Sequence, residues 1–310
     1  TDATMAAGIY IHIPFCVKKC NYCDFFSQPV DDENIIKSYT RALLKEIAFY
    51  GEKYGKKFEA DSVFFGGGTP SLIKPSFIAR IIEDLRQNFD IKDDAEISME
   101  CNPATADEEK LAAYRKAGVN RLSIGAQSFD DPVLKKLGRI HTASDITQTI
   151  KAARKSGFEN INLDLMFAVP GLDGRKWRGT IRKALNARPE HLSFYSLEIA
   201  PGTPFYNMVK DGIMAETSPA ADRRMYSVAL DELEKAGYIH YEISNSALPH
   251  KECRHNLKYW RFSDYLGFGA SAHSFMGGVR FSNIADIKKY IRVMENQDLA
   301  RNCRLGGSEV

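Results

Sequence analysis

The fold is decided by "YIHIPFCVKKCNYCDFFS", residues 10–27, where an apolar run leads straight into Cys16, Cys20 and Cys23. Along an extended chain Ile9, Ile11 and Ile13 fall on one side and Tyr10 and His12 on the other, so the run reads as a β-strand. The three cysteines that follow stop one ligand short of a closed tetrahedral metal site.

Outward from this stretch the pattern repeats. GIYIHIPF (8–15), SVFFGGG (62–68), EISMEC (96–101), RLSIGAQ (121–127), NINLDLMF (160–167) and HLSFYSLEI (191–199) alternate with amphipathic helical segments. In the first helix Ile36, Tyr39, Leu43, Ile47 and Tyr50 share a face; in a later one Tyr226, Leu230, Leu233 and Ala236 do. Gly118, Gly157 and Gly237 mark helix ends. Six βα units predict an α/β protein with a partial (βα)6, TIM-like barrel, too short to close as eight strands, with its helices outside. Beyond residue 200 the alternation weakens into PGTP (201–204), a long helix, the strand YIHYEIS (238–244), the glycine-rich GFGASAHS (267–274) and the strand GVRFSNI (278–284). Residues 1–200 are therefore expected to form the barrel core and 201–310 an appended, truncated α/β subdomain.

The 310 residues, 44% of them hydrophobic, carry a net charge of +2 with no basic block, which speaks against a nucleic-acid partner. No run of 18 apolar residues and no charged-then-apolar leader occurs, so the chain reads as cytoplasmic, with peripheral membrane contact left open. "TDAT" ahead of Met5 reads as an appended scar, and the polar end "LGGSEV" suggests a truncated chain. Six cysteines are too few for a disulfide scaffold; Cys101, Cys253 and Cys303 read as plain thiols.

In a parallel barrel the C-terminal strand ends carry the chemistry. There the sequence sets the cysteine trio, the loop GGGTP from Gly66 to Pro70, Glu100, Gln127, Asp164 and Glu198. Singly, a glycine loop is a turn and a carboxylate is a helix cap. Their convergence on one mouth favours a single site. Three thiolates there serve either zinc or an iron–sulfur cluster. A Cys3His zinc site would need His12, which lies within the strand pattern, whereas a cubane held by three cysteines leaves one iron open to a cofactor or substrate.

The spacing CxxxCxxC resembles the signature of radical S-adenosylmethionine (SAM) proteins. The set YIHIPFC, GGGTP, ECNP, GVNRLSIGAQSF, GRIHT, DLMFAVPG and HNLKYW narrows the resemblance to the oxygen-independent coproporphyrinogen III oxidase family and its HemW-type haem-chaperone branch, over residues 8–284. The resemblance implies a [4Fe-4S] cluster on Cys16, Cys20 and Cys23 with S-adenosylmethionine at its open iron. It also implies Tyr10 and Tyr22 beside the cofactor, Gly66, Gly67 and Gly68 with Thr69 along its methionine part, and contacts from Glu100, Gln127, Arg139 and Asp164. Arg139 would suit a carboxylate and Asp164 a ribose.

Two departures separate the chain from the oxidases. These carry a further cysteine two positions after the third, where Phe25 stands here, and a long N-terminal extension, whereas this sequence starts eight residues before its first strand pattern. HNLKYW resembles the chaperone branch's HNxxYW, which implies haem contact by His255, with Tyr259 and Trp260 offering flat apolar surface; His273 in GFGASAHS competes for that role. The expectation is a haem chaperone that passes its cargo to acceptors such as membrane respiratory proteins, as monomer or dimer, with no residue assigned a catalytic role. The alternative is an oxidase that decarboxylates coproporphyrinogen III by radical chemistry; a zinc-stabilised binding module is a third reading.

Overall fold

The computed structural model describes residues 6–55 and 58–296; Cys303, "TDAT" and "LGGSEV" lie outside them. In chain order the elements are β1 (Ala7–Ile13), β2 (Phe15–Cys16), β3 (Gln28–Pro29), α1 (Glu33–Tyr54), β4 (Glu59–Gly67), α2 (Pro75–Asn88), β5 (Asp90–Cys101), α3 (Glu108–Ala117), β6 (Arg121–Gln127), α4 (Asp131–Leu137) and α5 (Ala143–Lys155). They continue with β7 (Ile161–Phe167), α6 (Gly174–Asn186), β8 (His191–Ser196), α7 (Pro204–Lys210), α8 (Pro219–Lys235), β9 (Ile239–Glu242), β10 (Asn245–Ala247), α9 (Arg254–Trp260), β11 (Tyr265–Phe268), β12 (His273–Met276), β13 (Val279–Ser282) and α10 (Ile287–Glu295). Gly118 caps α3 at φ 113°, and Gly157 and Gly237 also take positive φ just past their helices.

The six expected strands pair in parallel in the order β1-β4-β5-β6-β7-β8, as a partial, open barrel. Because side chains alternate along a strand, register decides what faces inward. Ser98, Arg121, Ser123, Asn162, Asp164 and Ser193 sit on one side of adjoining strands and bond among themselves: Asn162 Nδ2 donates to Ser123 Oγ at 2.7 Å and Arg121 Nη1 to Ser98 Oγ at 3.4 Å. The opposite face carries Ile9, Ile11, Val63, Phe65, Ile97, Met99, Leu122, Ile124, Leu163 and Phe194, all buried in one apolar cluster under the helices. The barrel interior is thus polar and its outer wall hydrophobic.

The chain after residue 200 joins the same sheet at both edges. β10 and β9 extend it antiparallel beyond β8, while β11 pairs in parallel with β1 and carries the β12–β13 hairpin. β11 makes a seventh parallel strand that the sequence did not announce, since YLGF is four residues long and merges with the glycine-rich segment. Among the described residues no helix is long and apolar enough to cross a membrane.

Helix α1 clamps this added edge to the first strand. Buried Tyr39 donates its hydroxyl to His12 O at 2.8 Å and accepts from Ala270 N–H at 2.9 Å. Glu46, also buried, accepts from Gly269 N–H, Asn283 Nδ2 and Tyr290 Oη. Tyr39→Phe would leave a buried carbonyl and a buried N–H unpaired, so it should cost about 1–3 kcal/mol. The expected signature is a lower urea midpoint at an unchanged denaturant slope.

Candidate functional site

The site begins where β1 and β4 end side by side, Ile13 opposite Gly67. Gly68 N–H donates to Ile13 O and Thr69 N–H to Phe15 O, both at 2.8 Å, sewing the glycine loop to the chain that enters the cysteine loop. No side chain fits between them. A Cβ on Gly67 would stand 2.6 Å from the His12 ring, and one on Gly68 would stand 2.7 Å from Phe15 O and 3.0 Å from Cys16 Sγ. Gly67 also takes φ 114°, which costs glycine nothing. On its far side the cysteine loop is fixed by Asn21, whose N–H donates to Leu137 O at 3.0 Å and whose Nδ2 donates to Lys136 O at 2.9 Å.

Cys16, Cys20 and Cys23 are free thiols lining one cavity of about 410 Å³ at the strand ends. The same cavity gathers Tyr22, Gly67, Gly68, Thr69, Glu100, Gln127, Arg139 and Asp164 from loops and strands scattered through the sequence, and Glu198 lines it from the loop after β8. Glu100 accepts from Gly67 N–H at 3.1 Å. Burial, and then the nearby Asp164 carboxylate, outweigh that bond and push Glu100 up to about 8. Asp164 accepts from Ser123 Oγ at 3.1 Å and Asn162 Nδ2 at 2.8 Å, and burial raises its pKa too. Gln127 closes β6 with φ 62°, an uncommon left-handed backbone at a break in the register with β7. Its Oε1 is buried with no partner among the described residues. Arg139 donates to Gly125 O at 2.7 Å and approaches Cys20 Sγ at 3.6 Å, while its Nε is likewise unpartnered among the described residues.

Sequence reasoning passed over Asn102, Ser123, Gly125 and Tyr195, which line the same cavity. Strand periodicity could have found Ser123, which stands opposite Glu100.

A second cavity, of about 680 Å³, lies against β1, α9 and the β11–β13 edge. Tyr10, Phe25, Phe26, Tyr259, Phe262, Tyr265 and Phe275 line it together with His12, His273 and Arg280. Asp24 and Phe25, just after Cys23, line both cavities. Tyr10, expected beside the cluster, lines this bay, its hydroxyl 3.1 Å from His12 Nδ1. Gly66 lies beneath the Tyr10 and Phe64 rings, each 3.0 Å from where its Cβ would be, so its close approach serves packing.

His255, expected at the haem, is held inside the fold. It is 1% exposed, lines neither cavity, and has both nitrogens engaged, Nδ1 with Ser62 Oγ at 3.2 Å and Nε2 with Tyr259 Oη at 2.9 Å. Burial, and then Lys258, drive its pKa down to about 3, so it is a neutral prop between the barrel interior and α9. An iron ligand needs a free nitrogen lone pair. Tyr259 does line the aromatic bay, whereas Trp260 stays outside the lining of both cavities.

The model of the radical SAM superfamily matches residues 10–184. The heme chaperone HemW of Bacillus subtilis (strain 168) is 39% identical over 288 residues, 91% of this chain and 74% of that protein. The chain belongs to the HemW family of radical SAM proteins. HemW of Escherichia coli (strain K12) is also 39% identical, over 266 residues, 86% of this chain and 69% of that protein. Among solved structures, coproporphyrinogen III oxidase (HemN) of Escherichia coli, a radical SAM enzyme, aligns with a TM-score of 0.82 and 26% identity over 95% of this chain and 71% of that one.

Radical SAM membership implies a [4Fe-4S] cluster and S-adenosylmethionine, and the residues present fit them. Three free thiols face a cavity that also holds an orphaned amide oxygen and an orphaned guanidinium N–H, groups suited to an ammonium and a carboxylate. Among the described residues no three His, Cys, Asp or Glu side chains gather around a single-ion site. Cluster thiolates each bind a different iron, so three cysteines can hold a cubane without converging on one ion.

Two outcomes follow. Gly68→Ala should lower stability by about 1–3 kcal/mol through overpacking and, by displacing Cys16, reduce the iron retained after anaerobic reconstitution. For Glu100, the folded value near 8 lies above the ordinary 4.5. Its contribution to stability is therefore full below about pH 4.5 and lost as pH rises through 8. Melting temperatures of Glu100→Gln across that window should fall less steeply than those of the parent.

Proposed function

We propose that the protein is a haem chaperone that holds a [4Fe-4S] cluster and S-adenosylmethionine at the strand ends, binds haem as cargo and delivers it to acceptor proteins, membrane respiratory proteins being the class expected. The observation that carries this reading is 39% identity to HemW proteins over most of both chains. A thiol-lined polar cavity that shares a wall with an aromatic bay supports it further.

Cys16, Cys20 and Cys23 would hold the cluster, while Gly67, Gly68 and Thr69 keep the adjoining wall free of bulk. When bound, the cluster and S-adenosylmethionine supply one-electron reduction of a sulfonium. Arg139 offers its unpartnered Nε to a carboxylate, and Gln127 its free Oε1 to an ammonium group. Asp164 and Glu100 accept from hydroxyls, and Tyr22 packs beside the cysteines. The exposed Phe25 ring follows the trio in place of the oxidases' extra cysteine and presents an apolar wall. His255 acts as a positioning residue through Tyr259.

The oxidase alternative draws on the close fold likeness to HemN. Anaerobic turnover of coproporphyrinogen III separates the two: a chaperone leaves it unchanged, and conversion to protoporphyrinogen would overturn the proposal. On the chaperone reading, anaerobically reconstituted protein should carry about four irons and four sulfides per chain. It should also take up haem and load it onto an apo-haem protein. Substituting Cys16, Cys20 and Cys23 together with alanine should abolish iron and sulfide binding.

A further inference from the structure

Part of the polar lining of the aromatic bay is already engaged, while Asp24, Ser263, Tyr265 and Ser271 make no side-chain hydrogen bond or ion pair among the described residues. His12 has Nε2 on Phe26 O at 2.8 Å and Nδ1 on the Tyr10 hydroxyl. Lys258 pairs with Asp61 at 2.6 Å. His273 and Arg280 differ. The His273 side chain is exposed and, among the described residues, neither ring nitrogen makes a hydrogen bond; Arg280 is exposed and forms no ion pair among them. Both project from one face of the β12–β13 hairpin, because Phe275 stands opposite Arg280 and His273 lies two residues before Phe275 on the same strand. An available imidazole and an available guanidinium therefore share a wall with aromatic rings.

The backbone carries a second mark. Phe262 and Ser271, both in the lining, take left-handed φ of 50° and 64°. At Phe262 this is the left-handed turn that ends α9, with Ser263 N–H donating to Lys258 O at 2.9 Å, and a non-glycine residue there leaves its side chain 81% exposed toward the bay. Phe25, 65% exposed, faces the same space from the cysteine loop. A volume of about 680 Å³ falls within the range of cofactor-sized sites.

We propose that this bay is the cargo site: His273 supplies the imidazole ligand to haem iron, Phe262, Phe25 and Tyr259 pack on the macrocycle, and Arg280 pairs with a propionate. The chemistry matches part by part. A flat apolar ring needs aromatic surface, a ferric iron needs an unprotonated imidazole with a free nitrogen, and a carboxylate needs a fork of N–H donors. The wall formed by Asp24 and Phe25 would place one edge of the cargo beside the thiol-lined cavity. The inference rests on the haem-chaperone reading.

The experiment is titration of the full chain, anaerobically reconstituted, with ferric haem, followed at the Soret band. His273→Ala should shift the band away from that of an imidazole-ligated iron and weaken binding about tenfold or more. Free imidazole should restore the parent spectrum in His273→Gly. His255→Ala should keep the parent band position, with circular dichroism reporting its fold. Phe262→Gly gives opposite signs in two measurements: relief of the left-handed strain raises the melting temperature of the haem-free protein, and loss of the ring weakens haem binding. If the parent binds haem while His273→Ala matches it in band position and affinity, the site assignment is overturned and the chaperone reading stands. If the parent itself takes up no haem, the chaperone reading falls and the assignment falls with it.

Discussion

Two backbone hydrogen bonds, from Gly68 to Ile13 and from Thr69 to Phe15, hold the cysteine loop against the glycine loop, and the rest of the site is arranged around that contact. Their 2.8 Å lengths bring the chains so near that Cys16 Sγ would touch a β-carbon at position 68. The glycines are therefore a steric condition for the cysteines' position. Gly67 carries a second duty, since its N–H donates to Glu100 and ties the third strand of the barrel to the same junction.

Beneath the junction, the polar interior of the barrel sets the electrostatics of the mouth. Buried serines, Asn162 and Arg121 bond across neighbouring strands, with Arg121 Nε left without a partner among the described residues. On this floor burial raises both carboxyls, and the Asp164 carboxylate adds to the rise at Glu100. A cationic ligand entering the cavity would reverse that effect and favour both carboxylates ionised.

The segment beyond residue 200 adds the other half of the molecule's chemistry. Pairing of β11 with β1 brings α9 and the β12–β13 hairpin alongside Tyr10 and His12, and the resulting aromatic bay meets the thiol-lined cavity at Asp24 and Phe25. Phe25 thus belongs to both. A thiol there would extend the first cavity's chemistry, and a phenyl ring completes the second cavity's surface.

The sequence by itself determined the six barrel strands, the helix-ending glycines and part of the set of residues that face the first cavity: the cysteines, the glycine loop and the polar residues at strand ends. These depend on short-range rules: alternation along a strand, glycine where φ turns positive, and polar residues at strand ends. Only the tertiary structure decided which face of each strand points inward, that β11 is a seventh parallel strand, and that Tyr10 lines the aromatic bay. It also placed two histidines that look alike in one dimension in different surroundings. His255 belongs to a recognisable motif yet is locked by Ser62, 193 positions earlier in the chain, whereas His273, in an unremarkable glycine-rich stretch, is open to the bay. Whether an imidazole can bind a metal depends on which partners already occupy its nitrogens, and those partners are brought in by strand pairing over distances that no local pattern encodes.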